Sequence, residues 1–380
     1  MRVVVDASNL RAGGGLTHLV QLLRAVDPRA HGVSSVQVWS GRKTLDRLSP
    51  APWLTVRHDP ALDGSLPQRA HWQARRLAEH VARDGDLLFV PGGASSTGAR
   101  PRVVMCRNML PFERDERRRY GLSLTHARLL ALRAVQARSF ARADGVIFLT
   151  EYARQAIRPL LGTEAPPSRV IAHGVDDRFR RPPRPPREVT RDRPLRVVMV
   201  SQLAPYKHPD TVVAAVRALV AEGLPVRLDL YGPAEVPAMA RAVTESLRRY
   251  DPAGAVMAWH GPVSFDAIDR VYAEADVFVF ASSCENMPNT LVEAMASGLA
   301  VVCSDRGPMP EVLGDAGVYF DPEDWRSLYA ALRGLVHAAT ARAELATASY
   351  TRALGFTWSR CAAETWRFLR EVNDPRGRGF

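Results

Sequence analysis

The sequence predicts an α/β protein built from two doubly wound domains, and three observations favour this fold class. Short aliphatic runs alternate with longer amphipathic stretches, which is typical of parallel sheets wrapped by helices. The alternation occurs twice, on either side of one segment rich in proline and arginine. The chain is 380 residues long, which is more than one hydrophobic core usually supports.

The aliphatic runs give the predicted strands in chain order. Those of the first series are 2–7, 86–93, 102–107, 144–150 and 168–174. A segment without apolar periodicity, 178–194, follows and predicts a stiff, polyproline-like linker. The second series comprises 195–203, 226–232, 256–261, 276–282, 300–305 and 317–321. Helical spacing of apolar residues in 358–372 predicts a closing helix.

Composition narrows the function classes. No signal peptide or long apolar run is present, so we predict a cytoplasmic protein that does not span a membrane. Four widely spaced cysteines predict buried thiols rather than disulfides or a zinc site, and we predict no metal. The net charge of +11 suits an anionic partner, but arginine bias also explains it, since Lys43 and Lys207 are the only lysines.

Two carboxylates follow the apolar run 276–281. Pro288 indicates that a helix starts near it, so Glu285 lies in a loop and Glu293 on the helix. Free N–H groups of 287–290 then favour a phosphate, while the carboxylates accept hydrogen bonds from sugar hydroxyls. Spacing alone leaves a solvated helix start equally open.

The stretch "ENMPNTLVE", followed by "AMASGLAVVCSD" and "EVLGDAGVYFDP", resembles the E-x7-E signature of retaining GT-B glycosyltransferases of family 4. The resemblance implies that Glu293 binds the ribose of a nucleotide sugar and that Glu285 contacts the transferred sugar. It assigns sugar and diphosphate contacts to the residues after Glu285, which are Asn286, Met287, Pro288, Asn289 and Thr290.

Other segments resemble the same family in the expected order. "VSQLAPYKHPD" places Lys207 at the lysine that stabilises the leaving diphosphate, but Gln202 stands where the family has arginine. Arg306 could compensate. A glycine cluster, with Gly14 and Gly15, corresponds to a loop near donor and acceptor. The acceptor-side positions are Arg107, Asn108 and His173, where the family more often has histidine, aspartate and asparagine, and loop-structural roles for them stay open.

The resemblance implies GT-B architecture, in which two Rossmann-like domains face a central cleft. We place the acceptor-side domain at 1–180, with a C-terminal helix at 362–380 packing back on it. The linker is 181–194, and the donor-binding domain is 195–361. A basic amphipathic helix predicted within 121–144 either packs on the sheet or rests on anionic lipid at the inner face of the membrane.

The implied function is metal-independent, retaining transfer of a sugar, expected to be a hexose, from a nucleotide-diphosphate sugar to an acceptor hydroxyl by a front-face mechanism. The acceptor is a saccharide, a lipid-linked glycan or a small metabolite, and the expected setting is polysaccharide or glycoconjugate biosynthesis. Three alternatives stay open: a GT-B sugar-nucleotide epimerase, a catalytically inactive sugar-nucleotide binder, and a basic nucleic-acid-binding protein, although no nucleic acid is expected.

Overall fold

The structure is a computed structural model that describes residues 1–264 and 266–374. The chain divides into two compact units. The first comprises Met1–Arg114, Leu122–Gly174 and the tail from Thr357, and the second comprises Asp115–Gly121 and Val175–Phe356. The sequence placed the domain boundary at 180 and the start of the returning helix at 362. In the structure the chain enters the second unit six residues earlier, after Gly174, and returns to the first unit five residues earlier, at Thr357.

The first unit is built on a parallel sheet with strand order β3-β2-β1-β4-β5-β6-β7 in the described residues. The strands are β1 Arg2–Asp6, β2 Ser35–Trp39, β3 Leu54–Arg57, β4 Leu87–Val90, β5 Arg102–Met105, β6 Gly145–Phe148 and β7 Ser168–Val170. The central strands β4, β5 and β6 are buried along their whole length, as expected for a parallel sheet covered on both faces.

Helices of the first unit connect these strands. They are α1 Gly13–Ala25, α2 Arg42–Leu45, α3 Leu66–Arg75, α4 Leu77–Asp84, α6 Leu124–Ala141, α7 Glu151–Ile157 and α15 Trp358–Asn373, with 3₁₀ helices at Pro28–His31, Pro60–Leu62 and Arg158–Leu160. The tail helix α15 packs on α1 and β4 of the same unit. The rest of the predicted closing segment, 375–380, lies outside the described residues.

Helix α6 buries only a narrow face. Leu129 and Phe140 are buried, whereas Leu124, Leu130 and Val135 are exposed. Part of its apolar face is therefore buried, and packing of that face on the sheet stays a prediction. Association of the exposed face with anionic lipid stays a prediction. No helix within 1–264 and 266–374 has the length and apolar character that crossing a bilayer requires.

The second unit also has a parallel sheet, with order β10-β9-β8-β11-β12-β13 among described residues. Its strands are β8 Leu195–Val200, β9 Val226–Tyr231, β10 Met257–Trp259, β11 Val277–Phe280, β12 Ala300–Ser304 and β13 Val318–Phe320. Its helices are α5 Arg114–Arg118, which begins at the unit boundary, α8 Pro209–Ala221, α9 Pro237–Tyr250, α10 Ile268–Glu274, α11 Asn289–Ala296, α12 Met309–Leu313, α13 Trp325–Val336 and α14 Ala339–Ala353, with 3₁₀ helices at Asp177–Phe179 and Pro205–Lys207.

The predicted linker, 181–194, is part of the second unit and is held by arginine contacts. Asp276, just before β11, forms ion pairs with Arg184 and Arg187. Its Oδ2 also accepts a hydrogen bond from the backbone N–H of Arg196 at 2.9 Å. Arg181 pairs with Asp269 at 2.6 Å. The segment therefore does not stand apart from the second unit, because its arginines bind carboxylates of that unit, and its stiffness stays a prediction.

A short segment from the first half of the chain, Asp115–Gly121, also belongs to the second unit. Arg119 forms an ion pair with Glu323 at 2.5 Å, and the Tyr120 hydroxyl donates to Glu235 at 3.1 Å. The sequence placed this segment within 1–180. Its assignment depends on contacts with residues more than 100 positions away, which no local pattern reveals.

Candidate functional site

The strand order of the second sheet reverses between β8 and β11, so the loops after these two strands begin side by side. Ligands of open α/β sheets bind in the crevice at such a point. The two loops are joined directly, since the backbone N–H of Ser283 donates to the Tyr206 carbonyl at 2.9 Å. This junction brings together Lys207 from one loop and Glu285 from the other.

Lys207 and Glu285 form an ion pair between Nζ and Oε1. Their side chains are only 12% and 16% exposed, so the pair is largely shielded from water. The ammonium group also lies 5.2 Å from the Tyr206 ring centroid and 5.6 Å from that of Phe280. Such surroundings favour an ammonium group through the ring quadrupoles. The lysine is thereby fixed at the switch point with a single carboxylate as its ionic partner in the described residues.

The residue after Lys207 has an unusual backbone. His208 has φ 46° and ψ 50°. Among the described residues it is the one non-glycine residue with a positive φ. Its Nε2 lies 2.8 Å from the Ser283 hydroxyl, so the imidazole hydrogen-bonds across the two loops. Left-handed conformation costs a non-glycine residue about 1–2 kcal/mol. The buried side chain and this hydrogen bond hold the strained residue in place.

Glu293 lies on α11, on the other side of the same loop. Its Oε2 accepts a hydrogen bond from the Tyr272 hydroxyl at 3.1 Å. Burial raises the pKa of the Glu293 carboxyl to about 7, while the Tyr272 hydroxyl and the positive charge of Arg178 act in the opposite direction. Tyr272 is fully buried and packs edge-on against Phe179 at 5.8 Å. The carboxyl group is therefore held in one position.

Helix α11 begins at Asn289, with Pro288 as its N-cap and no side-chain hydrogen bond capping it. Asn286, Met287 and Pro288 are buried, whereas Asn289 and Thr290 are partly exposed. The N–H groups of a first helical turn have no partner within the helix and carry a partial positive charge. The helix start therefore falls where the sequence predicts it, between the two glutamates.

In the first unit the structure joins three predicted residues around the start of α1. The helix begins at Gly13, so Gly14 and Gly15 belong to its first turn and not, as expected, to a loop before it. Arg107 donates from Nη2 to the Gly14 carbonyl at 2.8 Å. A Cβ on Gly15 would lie 2.9 Å from the Leu10 side chain, which explains the glycine. Burial lowers the pKa of the Arg107 guanidinium to about 10, so it stays charged at neutral pH.

Asn108 and His173, the other two residues that the sequence predicts on the acceptor side, have structural contacts. The exposed Asn108 accepts a hydrogen bond from the Leu110 N–H at 3.0 Å, which closes a local turn. His173 is buried, and its ring stacks on Trp358 with 5.7 Å between centroids. His173 Nδ1 also lies 2.9 Å from the Gly174 carbonyl oxygen. These contacts favour the structural roles that the sequence left open.

Comparison with known proteins gives the fold, and a family match for part of the chain. Residues 194–338 match the family described as glycosyl transferases group 1. Over 98% of this chain and 99% of the other, the structure resembles sucrose-phosphate synthase from Thermosynechococcus elongatus, with a TM-score of 0.77 and 18% identity. The fold is GT-B. A structure of Anabaena Alr3699/HepE in complex with UDP and glucose is similar over 98% of this chain and all of that one, with a TM-score of 0.71 and 18% identity.

Sequence relatives cover smaller parts of the chain. The O-antigen chain mannosyltransferase B of Escherichia coli is 36% identical over 28% of this chain and 28% of its own length. The D-inositol 3-phosphate glycosyltransferase of Rhodococcus erythropolis is 27% identical over 63% of this chain and 57% of its own length. The matched segments therefore span about a quarter to just over half of these relatives.

Within the matched segment, the suggestion that Arg306 replaces the missing arginine stays a prediction. Gln202 is exposed in the loop after β8. Arg306 forms ion pairs with Asp305 at 3.2 Å and Asp321 at 2.9 Å, so two carboxylates already neutralise its charge. Within residues 1–264 and 266–374, no three His, Cys, Asp or Glu side chains lie close enough together to hold a metal ion.

Sequence reasoning missed the residues that position the site. Tyr272 and Arg178 act on Glu293, and His208 and Ser283 join the two loops. A histidine between lysine and proline is a weak signal at best. The only usable clue was the sequence "KHPD" itself, because proline at the first helical position indicates a helix start directly after His208.

Proposed function

We propose that this protein is a retaining glycosyltransferase that transfers a hexosyl group from a nucleotide-diphosphate sugar to an acceptor hydroxyl. In the proposed step, the bond between the anomeric carbon and the diphosphate oxygen breaks. The acceptor oxygen bonds to the same face of the anomeric carbon, and its proton passes to an oxygen of the departing diphosphate. No protein nucleophile is needed, so the side chains bind, orient and stabilise charge.

The observation that carries the proposal is the Lys207–Glu285 ion pair at the switch point of the second sheet. A shielded ammonium stabilises negative charge growing on a leaving phosphate more than a hydrated one does. When a diphosphate binds, it competes with Glu285 for Lys207. The released carboxylate then accepts hydrogen bonds from the sugar, and the two residues divide charge stabilisation and orientation between them.

The second carboxyl group suits the nucleoside. A carboxylate accepts hydrogen bonds from two vicinal ribose hydroxyls, and the Tyr272 contact holds Glu293 in place before the ligand arrives. Its raised pKa of about 7 means that binding favours deprotonation near neutral pH. The uncapped start of α11 adds N–H groups for the diphosphate.

The relatives support the substrate class. The Anabaena structure contains UDP and glucose, and the Escherichia coli relative is named a mannosyltransferase. Both names fit a nucleotide-activated hexose as donor. The proposal assigns no role to a metal ion, because Lys207 and the helix N–H groups supply positive charge. Turnover that is unchanged by a chelator such as EDTA is the expected result, and loss of turnover restored by Mg²⁺ would contradict this part.

The proposal is tested by a thermal-shift screen with UDP, GDP, dTDP and ADP sugars, followed by release of the nucleotide with and without acceptors. A ligand that binds the native state raises the melting temperature. Lys207→Ala should lower turnover and Glu293→Ala should weaken binding. Lys43→Ala is the matched control, since Lys43 is exposed on α2 of the first unit. No shift with any nucleotide sugar, or an epimerised sugar formed without acceptor, would overturn the proposal.

A further inference from the structure

Three arginines around the loop after β1 lack a carboxylate partner. Arg11, Arg69 and Arg107 form no ion pair within the part of the chain that the structure describes. Several half-buried arginines lie against an aspartate or glutamate, as Arg187 does, whereas the buried Arg102 and Arg342 donate to backbone carbonyls. Arg69 is buried, and a buried guanidinium is costly unless hydrogen-bond acceptors or a counter-charge satisfy it, whereas Arg11 is exposed to water.

Arg11 and Arg69 lie side by side. Arg69 Nη1 donates to the Gly64 carbonyl at 2.7 Å, and Arg11 Nη1 donates to the same oxygen at 3.3 Å. Arg11 Nη2 also donates to the Asp63 carbonyl at 3.1 Å. The pKa of Arg69 is lowered by burial and then by the like charge of Arg11. Two positive groups therefore converge on one neutral acceptor.

The carboxylate of Asp63, whose backbone carbonyl accepts from Arg11, already has other partners. Asp63 Oδ2 lies 2.6 Å from His58 Nε2, and its Oδ1 accepts the Arg42 N–H at 2.9 Å. Arg69 is 9% exposed, so little of the residue is open to water. Its Nε donates to Asn9 Oδ1 at 3.4 Å, which turns the guanidinium toward the loop after β1.

This pair sits at the switch point of the first sheet. Strand order reverses between β1 and β4, and Asn9 follows β1. Gly92 follows β4, and a Cβ there would lie 3.3 Å from that of Asn9. The two loops therefore pack together beside Arg69. By the rule for open α/β sheets, a ligand of the first unit is expected to bind here.

We propose that Arg11 and Arg69 bind a phosphate monoester carried by the acceptor. A phosphate monoester has a charge of about −1.5 to −2 at neutral pH, which matches two guanidinium groups better than one carboxylate does. The planar guanidinium also fits phosphate oxygens in pairs. That the phosphate belongs to an acceptor rests on the proposed function, whereas the binding of an anion by these two arginines does not.

The first experiment titrates inorganic phosphate into the protein by calorimetry, with the donor site saturated by the nucleoside diphosphate that stabilises the protein most. If no nucleotide binds, the Lys207→Ala protein is used instead, so failure of the proposed function does not mask the result. Arg11→Gln and Arg69→Gln should each weaken phosphate binding about tenfold or more. Arg75→Gln, on the exposed side of the same helix, is the charge-matched control.

Saturable phosphate binding that is lost in both variants and kept in the control supports the proposal. Absent binding, or equal affinity in the wild type and both variants, overturns it. Acetate or malonate binding more tightly than phosphate would reassign the site to carboxylates and also overturns it. Arg11 is exposed, so Arg11→Gln keeps the test valid even if Arg69→Gln does not fold.

The second experiment measures nucleotide release with hexoses, hexose 6-phosphates and inositol phosphates, and with phosphatidylcholine vesicles with and without phosphatidic acid. A soluble phosphorylated acceptor is supported if the KM is lower for phosphorylated than for unphosphorylated sugars. Arg69→Gln should then raise the KM for the phosphorylated sugar about tenfold and leave acceptor-independent hydrolysis of the donor unchanged. Stimulation by phosphatidic acid vesicles alone would identify a lipid phosphate as the source. Preference for unphosphorylated acceptors, with donor turnover intact, would overturn the inference and leave the proposed function standing.

Discussion

The switch points of the two sheets differ in charge balance. At the first, Arg11 and Arg69 converge on a neutral carbonyl. At the second, Lys207 lies against Glu285 and Arg178 acts on Glu293. An unbalanced positive site favours an anion, whereas a site of paired opposite charges favours a ligand with both hydroxyl and phosphate groups. On the proposed assignments, one fold repeated twice carries two different recognition chemistries.

The largest effect is expected from Lys207→Ala. Loss of the ammonium should lower kcat about 100- to 1000-fold, because it acts mainly on charge that develops as the diphosphate leaves. The KM for nucleotide sugar should change much less. Steady-state kinetics with Lys43→Ala as the control measure both values. A rise in KM at constant kcat would show instead that the lysine only binds the ground state.

Glu285→Gln separates the two partners of the ion pair. Without the carboxylate, Lys207 is free to bind phosphate oxygens, so affinity for a nucleoside diphosphate should rise at least about threefold. Turnover should fall about tenfold or more, because the sugar loses its orienting acceptor. Calorimetry and kinetics on this variant measure the two effects. Glu245→Gln is the control, because Glu245 is an exposed residue of α9. Weaker nucleotide binding would contradict the proposed exchange of partners.

Glu293→Gln is expected to weaken nucleotide-sugar binding about tenfold and to stabilise the protein at high pH. The carboxyl has a pKa of about 7 in the native state and 4.5 ordinarily, so the native state binds more protons between these values. Its contribution therefore makes stability fall as pH rises through that window. The variant should gain about 1–3 kcal/mol over wild type at pH 8 and little at pH 5.

Denaturation at both pH values tests this linkage. An equal stability difference at pH 5 and pH 8 would show that the native carboxyl is not perturbed. Unchanged nucleotide affinity in Glu293→Gln would remove the ribose assignment, whatever the stability shows. The two readouts therefore separate the electrostatic argument from the functional one.

The smallest effect is expected at His208. Glycine there relieves the left-handed strain but removes the hydrogen bond to Ser283. His208→Gly should keep or raise the melting temperature while kcat falls about fivefold, and Ser283→Ala should lower kcat similarly. His208→Asn tolerates the conformation and should retain part of the activity. Full activity in both His208→Gly and Ser283→Ala would exclude a positioning role.

Local sequence patterns predicted the parts of the molecule that depend on local physics. Eleven of the thirteen strands in the described residues follow from aliphatic runs, whereas β2 and β3 were not predicted. The GT-B fold, which the family resemblance implied, is confirmed. The start of α11 follows from Pro288. The roles of Lys207, Glu285 and Glu293 stay proposals, although the structure places the first two in contact. The sequence could therefore predict where the loops lie along the chain and which residue types they contain.

The rest depends on contacts between distant residues. The predicted linker is bound by Asp276, about 90 positions from Arg187. Tyr272 reaches Glu293 only after α10 and α11 pack together, and the ion pairs of Arg306 with two aspartates cannot be predicted from its local sequence. Arginine partners cannot be assigned from composition, because every exposed carboxylate is a candidate until the fold selects one.

The central claim is that the switch point of the second sheet binds the diphosphate and nucleoside of a sugar donor. The most direct measurement is a crystal structure with the nucleotide sugar that raises the melting temperature most. The account predicts Lys207 Nζ about 3 Å from a phosphate oxygen, Glu293 hydrogen-bonded to the ribose, and the Lys207–Glu285 pair separated. A nucleotide bound elsewhere, or bound there with that pair intact, would contradict it.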